Sequence, residues 1–141
     1  MSPLLMPTPL VATCSCGDFR FKSENGPIFQ LTCHCSQCRQ VSTAPFTNLA
    51  FFKLAESEVQ GNTDVHCFIA DSGTKTLRET CATCGQMLLD RTEGFPQIIG
   101  IVAERIQPPY EFQARCHVWV ESKCAEATVP EGVKAFARSM Q

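Results

Sequence analysis

No two basic residues are adjacent anywhere in this sequence, and its 12 lysines and arginines are outnumbered by 14 acidic residues, for a net charge of -2. A chain with no basic patch has no surface that tracks phosphates, so nucleic acid is not an expected partner. The first ten residues lack a basic n-region, and Pro3, Pro7 and Pro9 interrupt their apolar run, so they do not read as a signal peptide. No stretch approaches the roughly 18 consecutive apolar residues of a membrane helix. Low-complexity segments are absent, and nothing repeats except small groups of cysteines. Charged residues are only 18% of the chain and hydrophobic residues 44%, too apolar for disorder and ordinary for a globular protein. The expectation is a soluble, cytoplasmic protein without membrane or nucleic-acid partners.

A length of 141 residues suits one domain with a modest core. Residues 1–10 read as a flexible, proline-rich tail and residues 11–141 as a single domain. Short strand patterns dominate. Asp18 to Lys22 alternates polar and aromatic residues, and Ile28 to Cys33, Thr47 to Phe52, Val65 to Ile69, Lys75 to Thr80, Gln86 to Leu89, Gln97 to Val102 and Cys116 to Val120 follow. Asn25-Gly26-Pro27 and Asp71-Ser72-Gly73 are turn signals. Val133, Phe136, Ala137 and Met140 fall at helical spacing, which predicts a short amphipathic helix over residues 131–139. The fold class is therefore mainly β, several short sheets with a short C-terminal helix.

What the sequence has in abundance is cysteine, ten in all. Seven fall into three tight groups: Cys14-x-Cys16, Cys33-x-Cys35-x-x-Cys38 and Cys81-x-x-Cys84. In a reducing compartment such groups hold metal rather than disulfides. Zinc favours four tetrahedral thiolates, and two cysteines one or two residues apart on a tight turn aim at one ion. Gly17 and Gly85 each follow a cysteine and let the backbone turn beneath the sulfurs. Seven thiols supply one closed four-ligand site and three ligands left over, and three protein ligands with an open position is the pattern of a catalytic zinc. The natural division joins Cys14, Cys16, Cys81 and Cys84, leaving Cys33, Cys35 and Cys38 as the open site. Spacing leaves a second division open, in which the triplet borrows His66, His117 or a lone cysteine. Cys67, Cys116 and Cys124 stand alone and read as core residues, as do Trp119, Phe19, Phe21, Phe51 and Phe52. Ser36 is a candidate N-cap for a helical turn through Cys38, which would put Arg39 beside the site, able to hold a carboxylate. His34, between two ligands, is the first candidate base, and His117 the second. Phe46 is a candidate pocket wall.

Cys14-Ser15-Cys16-Gly17, Cys33-His34-Cys35-Ser36-Gln37-Cys38-Arg39, Ala44-Pro45-Phe46 and Cys81-Ala82-Thr83-Cys84-Gly85 together resemble the glutathione-dependent formaldehyde-activating enzyme family, which also contains centromere protein V. The resemblance covers residues 11–120 in order. It implies an Mss4-like, β-rich fold with two zinc ions per chain, a structural one on Cys14, Cys16, Cys81 and Cys84 and one tied to activity on Cys33, Cys35 and Cys38. It also implies a carbon–sulfur lyase acting on glutathione or a related thiol adduct, to which the residues' own placement adds His34 and Arg39 as candidate catalytic residues. Two stretches depart from the family pattern. Lys123-Cys124-Ala125-Glu126 stands where a Pro-Trp pair is common, and Ala103-Glu104-Arg105 where a small acidic motif is common. The alternative expectation is a non-enzymatic, zinc-stabilised protein-binding module, which a long basic or proline-rich extension would favour.

Overall fold

The computed structural model describes residues 9–69 and 73–138. The expected tail lies outside these residues up to position 8, as do Asp71 and Ser72 of one turn signal. Eleven strands, one short α-helix and three single 3-10 turns are found among the described residues. Strands β1 (Leu10–Thr13), β2 (Arg20–Ser23) and β3 (Phe29–Cys33) lead into helix α1 (Ser36–Ser42). Next come β4 (Thr47–Lys53), β5 (Ser57–Gln60), β6 (Thr63–Ile69), β7 (Lys75–Cys81), β8 (Met87–Thr92) and β9 (Ile98–Val102). Strands β10 (Cys116–Val118) and β11 (Lys134–Ala135) complete the set.

The strands form two sheets. A three-stranded sheet runs β1-β2-β5, and an eight-stranded sheet runs β11-β10-β3-β4-β9-β8-β7-β6. Antiparallel pairing prevails, with β10 parallel to both β3 and β11. Side-chain alternation along the central strands explains where the core lies. On β4, Ala50 and Phe52 join one buried cluster with Leu10, Phe19, Phe21, Ile99 and Ile101, between the two sheets. Leu49 and Phe51 join a second cluster on the opposite face, with Leu31, Met87, Val102 and Val118. Gly100 is required there: a Cβ on it would come within 2.8 Å of the Phe51 ring.

The mainly β fold expected from the sequence is observed. The C-terminal helix is not: through residue 138, the segment holds the parallel strand β11 and turns. Apolar residues three and four apart do not separate a helix from a short strand that turns one aromatic inward. Phe136 packs on the second cluster, and its N–H donates to His117 O at 2.9 Å. Strand β1 begins at Leu10, the last residue of the expected tail, which is only 2% exposed. Strand β5 gave no sequence signal, since its residues are mostly exposed and polar. Cys67 is exposed rather than in the core, because β6 is the edge strand of the large sheet.

Candidate metal centres and their surroundings

Seven cysteines converge into two groups, with the sulfurs of each group all within 4.8 Å of one another. Cys14, Cys16, Cys81 and Cys84 form one group, and Cys33, Cys35 and Cys38 the other. Cys14 and Cys81 of the first group lie in one core cluster and all three cysteines of the second in the other, while Cys16 and Cys84 are exposed. The first group joins the turn after β1 to the turn after β7. Gly17 N donates to Cys14 O and Gly85 N to Cys81 O, both with the glycine at positive φ, so each pair of sulfurs comes off a tight turn. Cys14 Sγ lies 3.3 Å from Cys16 Sγ and 3.6 Å from Cys81 Sγ. The Phe19 amide donates to Cys14 Sγ at 3.4 Å.

The triplet is built at the end of β3 and the start of α1. Cys35, not Ser36, caps the helix, its sulfur accepting from Cys38 N at 3.2 Å. The helix ends at Thr43 in the left-handed region, φ 57°, and Pro45 blocks its continuation. Cys33 and Cys38 sulfurs are 3.6 Å apart, and all three cysteines are buried. A tetrahedral zinc with Zn–S near 2.3 Å separates its sulfurs by about 3.8 Å, so both donor sets fit such an ion. The amide donors on Cys14 and Cys35 are those expected around metal-bound thiolates. Among the described residues, no further His, Cys, Asp or Glu joins the three sulfurs of the triplet.

The sulfurs of each group differ in acidity, and in the first group Cys84 is lowered along with Cys14, chiefly by the Gln86 backbone amide. Thiol donation from Cys33 and then Cys38 holds the Cys35 thiol far below its usual range, against the effect of burial. Cys33 is pushed well above it by Cys35, Cys38 and burial. For Cys14, burial is outweighed by the Phe19 amide and the neighbouring thiols, which bring it down to about 6. A metal ion entering either group therefore displaces the remaining thiol protons.

A buried cation adjoins the triplet. Arg78, on β7 and 6% exposed, donates from Nε to Cys38 Sγ at 3.2 Å and from Nη2 to Cys35 Sγ at 3.5 Å. Asp90, opposite Arg78 in the β7–β8 ladder, approaches its Nε at 3.6 Å, and the Phe68 ring lies 5.0 Å from the guanidinium. Burial opposes the charge of Arg78, and the Cys38 and Asp90 anions outweigh it, so the group stays protonated. The sequence held no cue to this contact, because Arg78 and Cys38 meet only when β7 packs against α1.

His34 is fully buried, and its Nε2 lies 2.8 Å from His117 Nδ1. The two rings stack at 5.1 Å, and Phe46 lies 5.7 Å from His34. His34 Nδ1 is buried without a hydrogen-bond partner. Burial, then the charges of His117, Lys123 and Arg39, lowers His34 below its usual 6.5, and burial does the same to His117. Both rings are neutral at pH 7, and His117 pairs with His34 rather than joining the sulfurs. Arg39 Nη1 donates to Ser122 O, which ties α1 to the turn after β10. His66 is exposed and faces Thr80 Oγ1 at 3.2 Å, away from either thiol group.

The fold and these two thiol clusters define a small β-rich protein with paired sites of metal-ligand geometry. The profile of the glutathione-dependent formaldehyde-activating enzyme family matches residues 9–122, and the chain belongs to that family. A crystal structure of a Rhodobacter sphaeroides protein is similar in fold, with a TM-score of 0.53 and 21% identity over 89% of this chain and 98% of that one. No curated protein matches the sequence. Among the described residues, no helix is long and apolar enough to cross a membrane.

Proposed function

We propose that this protein is a zinc-dependent carbon–sulfur lyase that makes or breaks the C–S bond of a glutathione-type thiol adduct. Zinc on Cys14, Cys16, Cys81 and Cys84 would be structural, and zinc on Cys33, Cys35 and Cys38 would serve the reaction. The observation that carries this reading is the difference in ligand count: four sulfurs close one group, while three make up the other. When bound at the triplet, zinc supplies Lewis acidity at an open position, which favours the thiolate of the substrate at neutral pH. Family membership supports glutathione as the thiol.

The chain's own residues take distinct parts. Cys33, Cys35 and Cys38 hold the ion, and Arg78 offsets the negative charge that three thiolates place in the core. His34, neutral and hydrogen-bonded to His117, is the proton acceptor of this reading, with His117 fixing its ring. Arg39 acts as a positioning residue, because its bond to Ser122 O fixes the helix that carries Cys38.

Zinc content and turnover of the glutathione–formaldehyde adduct test the proposal together. Wild-type protein is expected to carry close to two zinc ions per chain. Cys38→Ser should lose one of them and all turnover while keeping its melting transition, whereas Cys84→Ser should lose the transition. Full turnover by Cys38→Ser would end the proposal. Two zinc ions with no turnover of any glutathione adduct would favour a binding module instead.

A further inference from the structure

The eight-stranded sheet ends in two edges of unequal kind. Strand β11 forms one edge and is only two residues long. Strand β6 forms the other and runs for seven residues, paired with β7 without a break from Thr63 to Ile69. Folded proteins blunt a long edge with lysine, proline or a bulge, because its unpaired amides and carbonyls template another strand. Strand β6 reads Thr-Asp-Val-His-Cys-Phe-Ile and has none of these devices. The register shift at this end of the sheet falls between β7 and β8 instead.

The ladder fixes which backbone groups face outward. Ala82 N donates to Asn62 O at 3.1 Å, so the pair next to Thr63–Cys81 is a hydrogen-bonded one. Bonded and non-bonded pairs alternate along an antiparallel ladder. Asp64, His66 and Phe68 therefore bond to β7, while Thr63, Val65, Cys67 and Ile69 turn their N–H and C=O groups outward. These four side chains also share one face of the sheet. Val65 and Ile69 are 55% and 58% exposed, and Cys67 is exposed between them. On the other face Asp64 is exposed, and its carboxylate has no partner among the described residues. His66 is exposed as well, and its Nε2 faces Thr80 Oγ1 at 3.2 Å, which leaves Nδ1 for another group.

We propose that β6 pairs antiparallel with β6 of a second copy of this chain, about a two-fold axis at Val65, so that two large sheets join into one. A strand antiparallel to its own copy makes an isologous contact, in which every off-axis pair occurs twice. With Val65 opposite the partner's Val65, Thr63 stands opposite the partner's Cys67. All of these residues have outward backbone groups, so their pairs exchange the main-chain bonds. Asp64 then stands opposite the partner's His66 in a non-bonded pair, where Cα atoms are about 4.5 Å apart and side chains meet most closely. An unpartnered carboxylate thus meets an imidazole donor on both sides of the axis. This charge complementarity selects the register. An axis at His66 would instead set the two imidazoles against each other and Asp64 against the partner's Phe68.

The test is sedimentation equilibrium of the full chain loaded with zinc, with melting temperature as the check on folding. Wild type is expected to dimerise with a Kd on the order of 100 μM or tighter, as suits a small interface. Val65→Lys, at an exposed position, should weaken the dimer roughly tenfold or more. Asp64→Lys should weaken it about threefold or more, and adding His66→Asp should recover the loss, because the exchanged pair re-forms across the axis. Amide exchange locates the contact: the Val65 and Cys67 amides should gain protection as the protein is concentrated. A wild type that stays monomeric at about 500 μM overturns the proposal. So does a dimer indifferent to Val65→Lys, or a double exchange that recovers nothing. Val65 and Cys67 amides protected equally at every concentration would mean that the chain covers its own edge, which also overturns it.

Discussion

Arg78 Nε donates to Cys38 Sγ across 3.2 Å from inside the protein, while the same nitrogen lies 3.6 Å from Asp90 Oδ2. One guanidinium thus bridges the triplet sulfurs and a carboxylate that burial pushes up to about 6. Three thiolates around a divalent ion leave one net negative charge, and Arg78 cancels it where water is scarce. Arg78→Met should weaken metal retention at the triplet and strand Asp90 without its cation, at a cost of about 3 kcal/mol in stability. Adding Asp90→Asn should restore most of the stability but not the metal affinity. Chelator competition followed by urea unfolding separates the two losses. If metal affinity is unchanged in Arg78→Met, the counter-charge role is wrong.

The buried histidine pair makes stability fall on mild acidification. Both rings have folded-state pKa values below the usual 6.5, so between those values and 6.5 the unfolded chain binds more protons than the folded one. The stabilisation they contribute is complete above about 6.5 and is lost as pH falls toward the folded values. Comparing urea midpoints at about pH 7.5 and about pH 5.5, with zinc in excess, should show a smaller drop for His117→Asn than for wild type. Equal drops would mean that thiolate protonation alone governs the acid limb.

Gly61 sits at φ 115°, and a Cβ there would come within 2.4 Å of Asp18 O and 2.9 Å of Phe19 Cα. Both atoms that the Cβ would meet belong to the backbone, so no side chain can move to relieve the contact. Phe19 is also the residue whose amide supports Cys14 Sγ. Gly61→Ala should therefore cost about 2 kcal/mol or more. It should also speed zinc loss to a chelator from the four-thiol group, read as a fast phase that wild type lacks. A melting temperature equal to that of wild type would show that the turn before β6 shifts freely.

Much of this was legible in the chain. Strands β3, β4 and β6 to β9 carry runs or alternations of apolar and β-branched residues, and the cysteine spacings marked the seven sulfurs that converge, while leaving open whether a histidine or a lone cysteine completes the triplet. Ser36 missed the cap by one residue, because a cysteine thiolate was not expected in a position that hydroxyls and carboxamides usually hold. Strand β1 hid behind the prolines before it, although Leu10 and Ala12 face the core. The features that remained out of reach are non-local. Arg78 finds the triplet because β7 passes beneath α1, and His117 reaches His34 because β10 runs parallel to β3. Neither relationship leaves a spacing to read.

Strand β7 has one more implication. Its alternation sends Arg78 and Thr80 to one face and Cys81 to the other, and the register shift beside Glu79 and Thr80 is taken up on β8, so β7 itself stays regular. A single short rod therefore ends in a ligand of one sulfur group and carries, three residues earlier, the counter-charge of the other. Fixing Cys81 in a coordination sphere restricts the same backbone that must hold Arg78 against Cys38. Any linkage between the occupancies of the two centres would run through this one strand, and it would act equally in both directions.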